Sequence, residues 1–152
     1  MGAAYFYHLT QRPLEVVLPQ LLERARGAGW RVLVRGGNEV RLDQIDIALW
    51  TYGEASFLPH GRAGGPHDDA QPILIAPPGD LPEGIACLMS VDGADVSAEE
   101  VERLDRVCIL FDGTDHGALE KARSQWRALT KAGASAQYWS EETGKWEKKA
   151  EA

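Results

Sequence analysis

Four things are scarce in this 152-residue chain, and each scarcity removes a class of function. No apolar run approaches the roughly 20 residues that a membrane-spanning helix needs, and the opening MGAAYFYHL has no basic stretch ahead of a long apolar core, so no secretory signal is read there. Neither a membrane partner nor export is expected; the expected residence is cytoplasmic. Cysteine is limited to Cys87 and Cys108, which fall inside the apolar runs IACLMSV and RVCILFD. A free thiol in such a setting behaves as a small buried hydrophobe, so core packing is expected ahead of a disulfide or a metal site. Basic charge is also short. Sixteen Lys and Arg stand against 23 Asp and Glu, a formal net charge of −7, whereas gripping a phosphate backbone depends on Lys and Arg displacing counterions. Direct binding of duplex DNA should be weak, although a local basic patch on an acidic body remains open.

The last scarcity is of catalytic and cofactor motifs. Gly36-Gly37-Asn38 joins a strand to a helix, yet it has neither the GxGxxG fingerprint nor the GxxxxGK[ST] spacing that surrounds phosphates with backbone N–H groups. A tight turn is the better reading, with an anion at the helix N-terminus as the alternative. Ser56 and Ser90 lack the GxSxG elbow. His60, His67, Asp68 and Asp69 match no zinc spacing, and the Arg-Ala-Gly-Gly-Pro between them is not preorganised for a metal; His60 is expected to be a hydrogen-bonding surface residue. The pairs Glu99-Glu100 and Glu141-Glu142 read as solvating carboxylates. No catalytic residue, metal or cofactor is assigned.

What is present is the pattern of an α/β domain. With 44% hydrophobic and 26% charged residues, a chain of this length fits one domain. Strands are expected at Ala3 to Leu9, Arg31 to Arg35, Pro72 to Ala76, Ala86 to Val91, Arg106 to Asp112 and, last, AQYWS after Gly133. Several are continuously apolar, as strands covered on both faces are. Helices are expected between them. Leu14, Val17, Leu18, Leu21 and Ala25 keep helical spacing within Thr10 to Gly29; there Pro19 demands either a helix start near Leu18 or a bend. Ser97 with Glu100 forms a capping box ahead of a short acidic helix. Alternation of strand and helix predicts a mostly parallel sheet in a three-layer sandwich. Arg62 to Ala70 is read as a surface loop, and about 145–152, GKWEKKAEA in part, as a charged tail that frays.

Two stretches carry more specific information. In RLDQIDIALWTYGEASFLPHG (Arg41 to Gly61), Leu42, Ile45 and Leu49 lie on one helical face with Asn38 as N-cap. Trp50 and Tyr52 follow, and Phe57, Leu58 and Pro59 read as an edge strand stopping at His60-Gly61, since proline cannot donate to a ladder. In ARSQWRALTKAG, a helix from about His116 to Lys131 places Arg123, Arg127 and Lys131 on adjoining positions with Trp126 between them and the apolar face. That arrangement can be a solvated helix face whose indole seals the core. It can equally be a basic pocket with an apolar floor, suited to an acidic peptide ending in a hydrophobic residue.

The wording LDxxxxxLW followed by SFLPHG, together with ARSQWRALTKAG and the closing YWSEETGKWEKKA, resembles the chi subunit family of bacterial DNA polymerase III holoenzyme. The resemblance covers most of the chain and is loose from Arg62 to Gly84. It implies a Rossmann-like fold and a noncatalytic accessory subunit of the clamp-loader complex. Such a subunit bridges the replicase to single-stranded DNA-binding protein (SSB) and reaches DNA only through it. It also implies that Arg123, Trp126 and Arg127 hold the acidic C-terminal tail of SSB, and that Trp50, Tyr52, Phe57, Leu58, Pro59 and His60 face a psi or other clamp-loader subunit. Many family members have tyrosine where Trp126 stands, and a lysine one turn earlier falls near Leu119 or Lys121, leaving that wall of the pocket open. Two rivals remain: a nucleotide-binding enzyme using Gly36 to Asn38, and a direct binder of single-stranded nucleic acid that stacks bases beside Arg123 and Arg127.

Overall fold

Both faces of every central strand are apolar, which dictates a sheet covered on two sides. The computed structural model describes residues 2–51, 59–64, 71–141, 143 and 145–152. In chain order these form β1 (Ala3–Leu9), α1 (Leu14–Gly27), β2 (Val32–Gly36), α2 (Glu39–Thr51), β3 (His60–Arg62), β4 (Ile73–Ala76), β5 (Cys87–Val91), α3 (Ala98–Arg103), β6 (Arg106–Asp112), α4 (His116–Lys131), β7 (Ser135–Ser140) and β8 (Glu147–Glu151). One eight-stranded sheet runs β3-β4-β2-β5-β6-β1-β7-β8. Every neighbouring pair is parallel except β7 and β8. The protein is a single α/β domain with the Rossmann-like three-layer arrangement.

Alternation along the strands sorts the core into two layers. Val32 and Val34, Cys87 and Met89, and Cys108 and Leu110 pack with Leu18 and Leu22 of α1 and Leu42 and Ile45 of α2. Leu33, Leu88, Val107 and Ile109 point the other way, onto Val101 of α3 and Ala122 and Leu129 of α4. The handedness of parallel crossovers explains which helix lies where. The chain steps one way along the sheet from β1 to β2 and from β2 to β3, and the opposite way from β5 to β6 and from β6 to β7, so the two sets of helices cover opposite faces.

Local chemistry agrees with most element ends. The Asn38 side chain accepts from the N–H of Val40 at 2.9 Å and opens α2. Ser97 accepts from the Glu100 N–H at 3.1 Å while Glu100 accepts from the Ser97 N–H at 3.1 Å, closing the capping box of α3. Both cysteines are free and buried; a hydrogen bond with Cys108 and burial push the Cys87 thiol well above its usual range.

Several expectations are corrected. Helix α1 begins at Leu14 and carries Pro19 in its second turn, so it does not start near Leu18. The edge strand is His60–Arg62, after Pro59 rather than across it; Tyr52, Phe57 and Leu58 lie outside the described residues. Arg62 belongs to that strand, not to a loop, and residues 65–70, with His67, Asp68 and Asp69, are also outside them. The charged end, expected as a loose tail, is placed as a strand: Glu147–Glu151 pairs antiparallel with β7. His60 is 5% exposed, not a surface residue. Its Nε2 lies 3.0 Å from an Asp46 carboxylate oxygen, an ion pair when the ring is protonated. Two carboxylates read as solvating are structural. Glu100 grips Arg35, and Glu141, 1% exposed, accepts from the N–H groups of Gln11 and Arg12.

Candidate functional site

Helix α4 has a four-residue apolar stripe and a cationic flank, and the sheet beneath decides what that flank faces. Asp115 caps it, accepting from the Ala118 N–H at 3.1 Å, and Ala122 and Leu129 anchor it in the core. This fixes the rotation of the helix. Arg123, Trp126 and Arg127, one turn of a single face, then overhang β1, β7 and β8.

These three side chains do line one hollow of about 550 Å³, together with His8, Tyr138, Ser140, Lys149 and Ala150. Its floor is aromatic. Trp126 is half-buried, its ring edge-on to Phe6 at 5.3 Å and to Tyr138 at 6.1 Å. Tyr138 Oη is hydrogen-bonded to His8 Nδ1 at 2.8 Å, and the His8 ring stacks on Phe111 at 5.2 Å. The indole is therefore held by rings on its inner side and open on its outer one. Gly113 sits so close to the His8 imidazole that a Cβ there would collide with it, so glycine permits the ring's position.

The rim is cationic. Arg123 and Arg127 stand on α4 and Lys149 on β8, and among the described residues no carboxylate lines the hollow. Arg123 bonds Glu120 at 3.1 Å and Lys149 bonds Glu147 at 3.2 Å, both exposed pairs on the outer side. Exposed pairs of this kind are worth little, about 0–1 kcal/mol, so an incoming carboxylate competes with them readily. Arginine offers such a group two parallel N–H donors.

Lys149 was missed from sequence because β8 was read as a frayed tail. Neither Leu119 nor Lys121 supplies the remaining wall: Leu119 packs toward the core, and Lys121 pairs with Asp95 at 2.7 Å on the other flank of α4. Lys131, on the same stripe, does not line the hollow.

The second set of residues lies at the far edge of the sheet. Trp50 is 58% exposed at the end of α2, its ring 4.5 Å from that of buried His60. Pro59 is half-buried beside it. Val40 and Ile47, 64% and 62% exposed, fall within about 80° of Trp50 around the helix and extend the apolar surface. The period of α2 could have shown this: three apolar residues stand off the buried Leu42, Ile45, Leu49 face.

Comparison with known proteins agrees with the architecture. The family model described as DNA polymerase III chi subunit, HolC, matches residues 1–137. A protein of Rickettsia prowazekii (strain Madrid E) named as a probable DNA polymerase III subunit chi is 22% identical over 111 residues, spanning 70% of this chain and 67% of that protein. No helix among the described residues is long and apolar enough to cross a membrane. With a three-layer α/β fold and a family match that runs from the first strand into β7, this chain belongs to the DNA polymerase III chi subunit family.

Proposed function

We propose that this chi-family protein is a noncatalytic adaptor that seats the acidic C-terminal tail of SSB in the hollow beside α4 and presents the α2 edge to a psi or other clamp-loader subunit. The carrying observation is the hollow's composition: two arginines and a lysine at the rim, an indole and a phenol on the floor, and no carboxylate among the described residues of the lining. A peptide with acidic residues and a hydrophobic end complements both parts. Its carboxylates take guanidinium donors, and its terminal side chain leaves water against Trp126. The Val40, Ile47 and Trp50 surface on α2 supports the second contact, because an exposed apolar patch containing tryptophan is the usual form of a protein anchor. DNA is reached through SSB, in keeping with the net charge of −7.

Calorimetric titration with an SSB C-terminal peptide tests the reading. Arg123→Ala and Arg127→Ala should each weaken binding by roughly 1 to 3 kcal/mol, the size expected for lost charge-assisted hydrogen bonds. Unchanged affinity in both variants would reject the site. Tight binding of single-stranded DNA without SSB, abolished by the same changes, would favour direct nucleic-acid binding instead.

A further inference from the structure

A second hollow, larger than the one beside Trp126, lies on the other flank of α4, and the function proposed above does not use it. It is about 940 Å³, within the range of small-molecule sites, and opens at the carboxyl ends of β2, β5, β6 and β1. The chain leaves β1 toward the α1 face and leaves the adjacent β6 toward the α4 face, so the two loops part and a crevice forms between them. Ligands of open α/β sheets bind at such switch points.

A crevice alone is no site; its polar atoms give this one a ligand. Gln125 of α4 lines the hollow and is 8% exposed, and its buried Oε1 has no hydrogen-bond partner among the described residues. Thr10 Oγ1, at the end of β1, is likewise buried and unpartnered. An unpaired buried polar group costs about 1–3 kcal/mol, a cost that a bound molecule would remove.

The charges at the rim choose the class of molecule. Its lining sets Glu15, Asp92, Asp112 and Asp115 against Arg12, Arg41 and Lys121, with Arg12 paired to buried Glu141 at 3.0 Å, Arg41 to Glu15 and to Asp92, and Lys121 to exposed Asp95 at 2.7 Å. Two of the acids keep an acceptor oxygen open. Asp112 uses one carboxylate oxygen for the Thr114 N–H and hydroxyl, and those bonds hold its carboxyl below the ordinary range. Asp115 uses one oxygen to cap α4. Among the described residues the lining thus carries more acids than bases, and a phosphate would meet that surplus of negative charge. Leu9 and Leu14 add an apolar wall against which a flat ring can lie.

We infer that the crevice between β1 and β6 binds an uncharged nucleoside, its hydroxyls donating to Asp112 and Asp115 and an N–H donating to Gln125. Adenosine, guanosine, cytidine and uridine, their 5′-monophosphates, and ribose alone are titrated into the full chain, followed by amide chemical shifts and by the unfolding midpoint. At least one nucleoside should move the signals of Thr10, Asp112 and Gln125 and raise the midpoint, as any ligand of the folded state must. Its monophosphate should bind more weakly. Gln125→Leu should reduce nucleoside affinity about tenfold, and Asp112→Asn, an exposed change that spares the core, should reduce it and narrow the gap to the monophosphate. The inference is overturned if no nucleoside binds and Gln125→Leu merely stabilises the protein, as it would were the amide holding only water. It is also overturned if ribose or the monophosphate binds as well as the nucleoside, or if neither variant alters affinity. Loss of SSB-peptide binding in Arg123→Ala reads out separately, from the opposite flank of the helix.

Discussion

The pair that most constrains a single residue is Arg35 with Glu100. Arg35 is 3% exposed at the end of β2, and its two terminal nitrogens reach the two carboxylate oxygens of Glu100 at 3.0 and 2.7 Å. Burial by itself would raise the Glu100 carboxyl. Hydrogen bonds from Arg35 and from the Ser97 backbone outweigh it, and the net shift is below the ordinary value of 4.5. A carboxyl depressed in the folded state contributes stability that is fully present above its unfolded value and is lost as pH falls through the folded one. Glu100→Ala should therefore cost roughly 3–5 kcal/mol at neutral pH, because it strands a buried guanidinium. Glu100→Gln should flatten the fall in urea midpoint on acidification below about pH 4.5, and a variant whose acid sensitivity matched the parent protein would disprove that assignment. Nothing in the sequence flagged this pair. Glu100 announced itself only as a cap, since 65 residues separate it from its partner.

At the scale of the element, β8 carries the clearest consequence. Its sequence, EKKAE, has no apolar periodicity and every side chain is exposed. Only backbone pairing makes it a strand: Tyr138 faces Ala150, Trp139 faces Lys148, and Ala152 exchanges hydrogen bonds with Ala136 at 2.8 and 3.2 Å. Trp146, just before it, stands edge-on to Tyr7 at 5.2 Å and fixes the approach. The strand brings Lys149 to the basic hollow and protects the edge of β7 with charged residues, as edge strands commonly do. Removing residues 147–152 should leave the fold cooperative, since no buried side chain is lost. It should weaken SSB-peptide binding by the same two- to fivefold or so as Lys149→Ala, the worth of an exposed ion pair. Far-ultraviolet dichroism on melting checks the first and calorimetry the second.

Over the whole molecule the charge is divided. The net charge is −7, yet three cations gather at a hollow lined by no carboxylate among the described residues. An acidic peptide is thus repelled by the body and attracted by one patch, so its affinity depends on short-range pairing at exposed groups. Between about 0.1 and 1 M salt the screening length falls from about 10 to 3 Å, and peptide affinity should fall steadily across that range. Affinity that held or rose with salt would mean that burial against Trp126, not charge, carries the contact.

How much of this was legible follows from the range of the forces involved. Alternating strand and helix, the continuously apolar strands, the caps at Asn38 and Ser97, and the shared face of Arg123, Trp126 and Arg127 are local. They depend on spacing along the chain, so the sequence by itself determined the three-layer sheet and the span of α4. Other features depend on which strands become neighbours. The pairing of β8 with β7, the burial of Glu141 under the β1–α1 loop, the enclosure of His60 and the placing of β1 beside β6 were decided by the tertiary structure alone. A charged strand is stabilised by backbone groups that look alike in every residue, and a buried carboxylate by N–H groups 129 and 130 residues away. Such contacts leave no periodic trace, because burial and hydrogen bonding are settled by the sheet's order and not by the residues adjoining them.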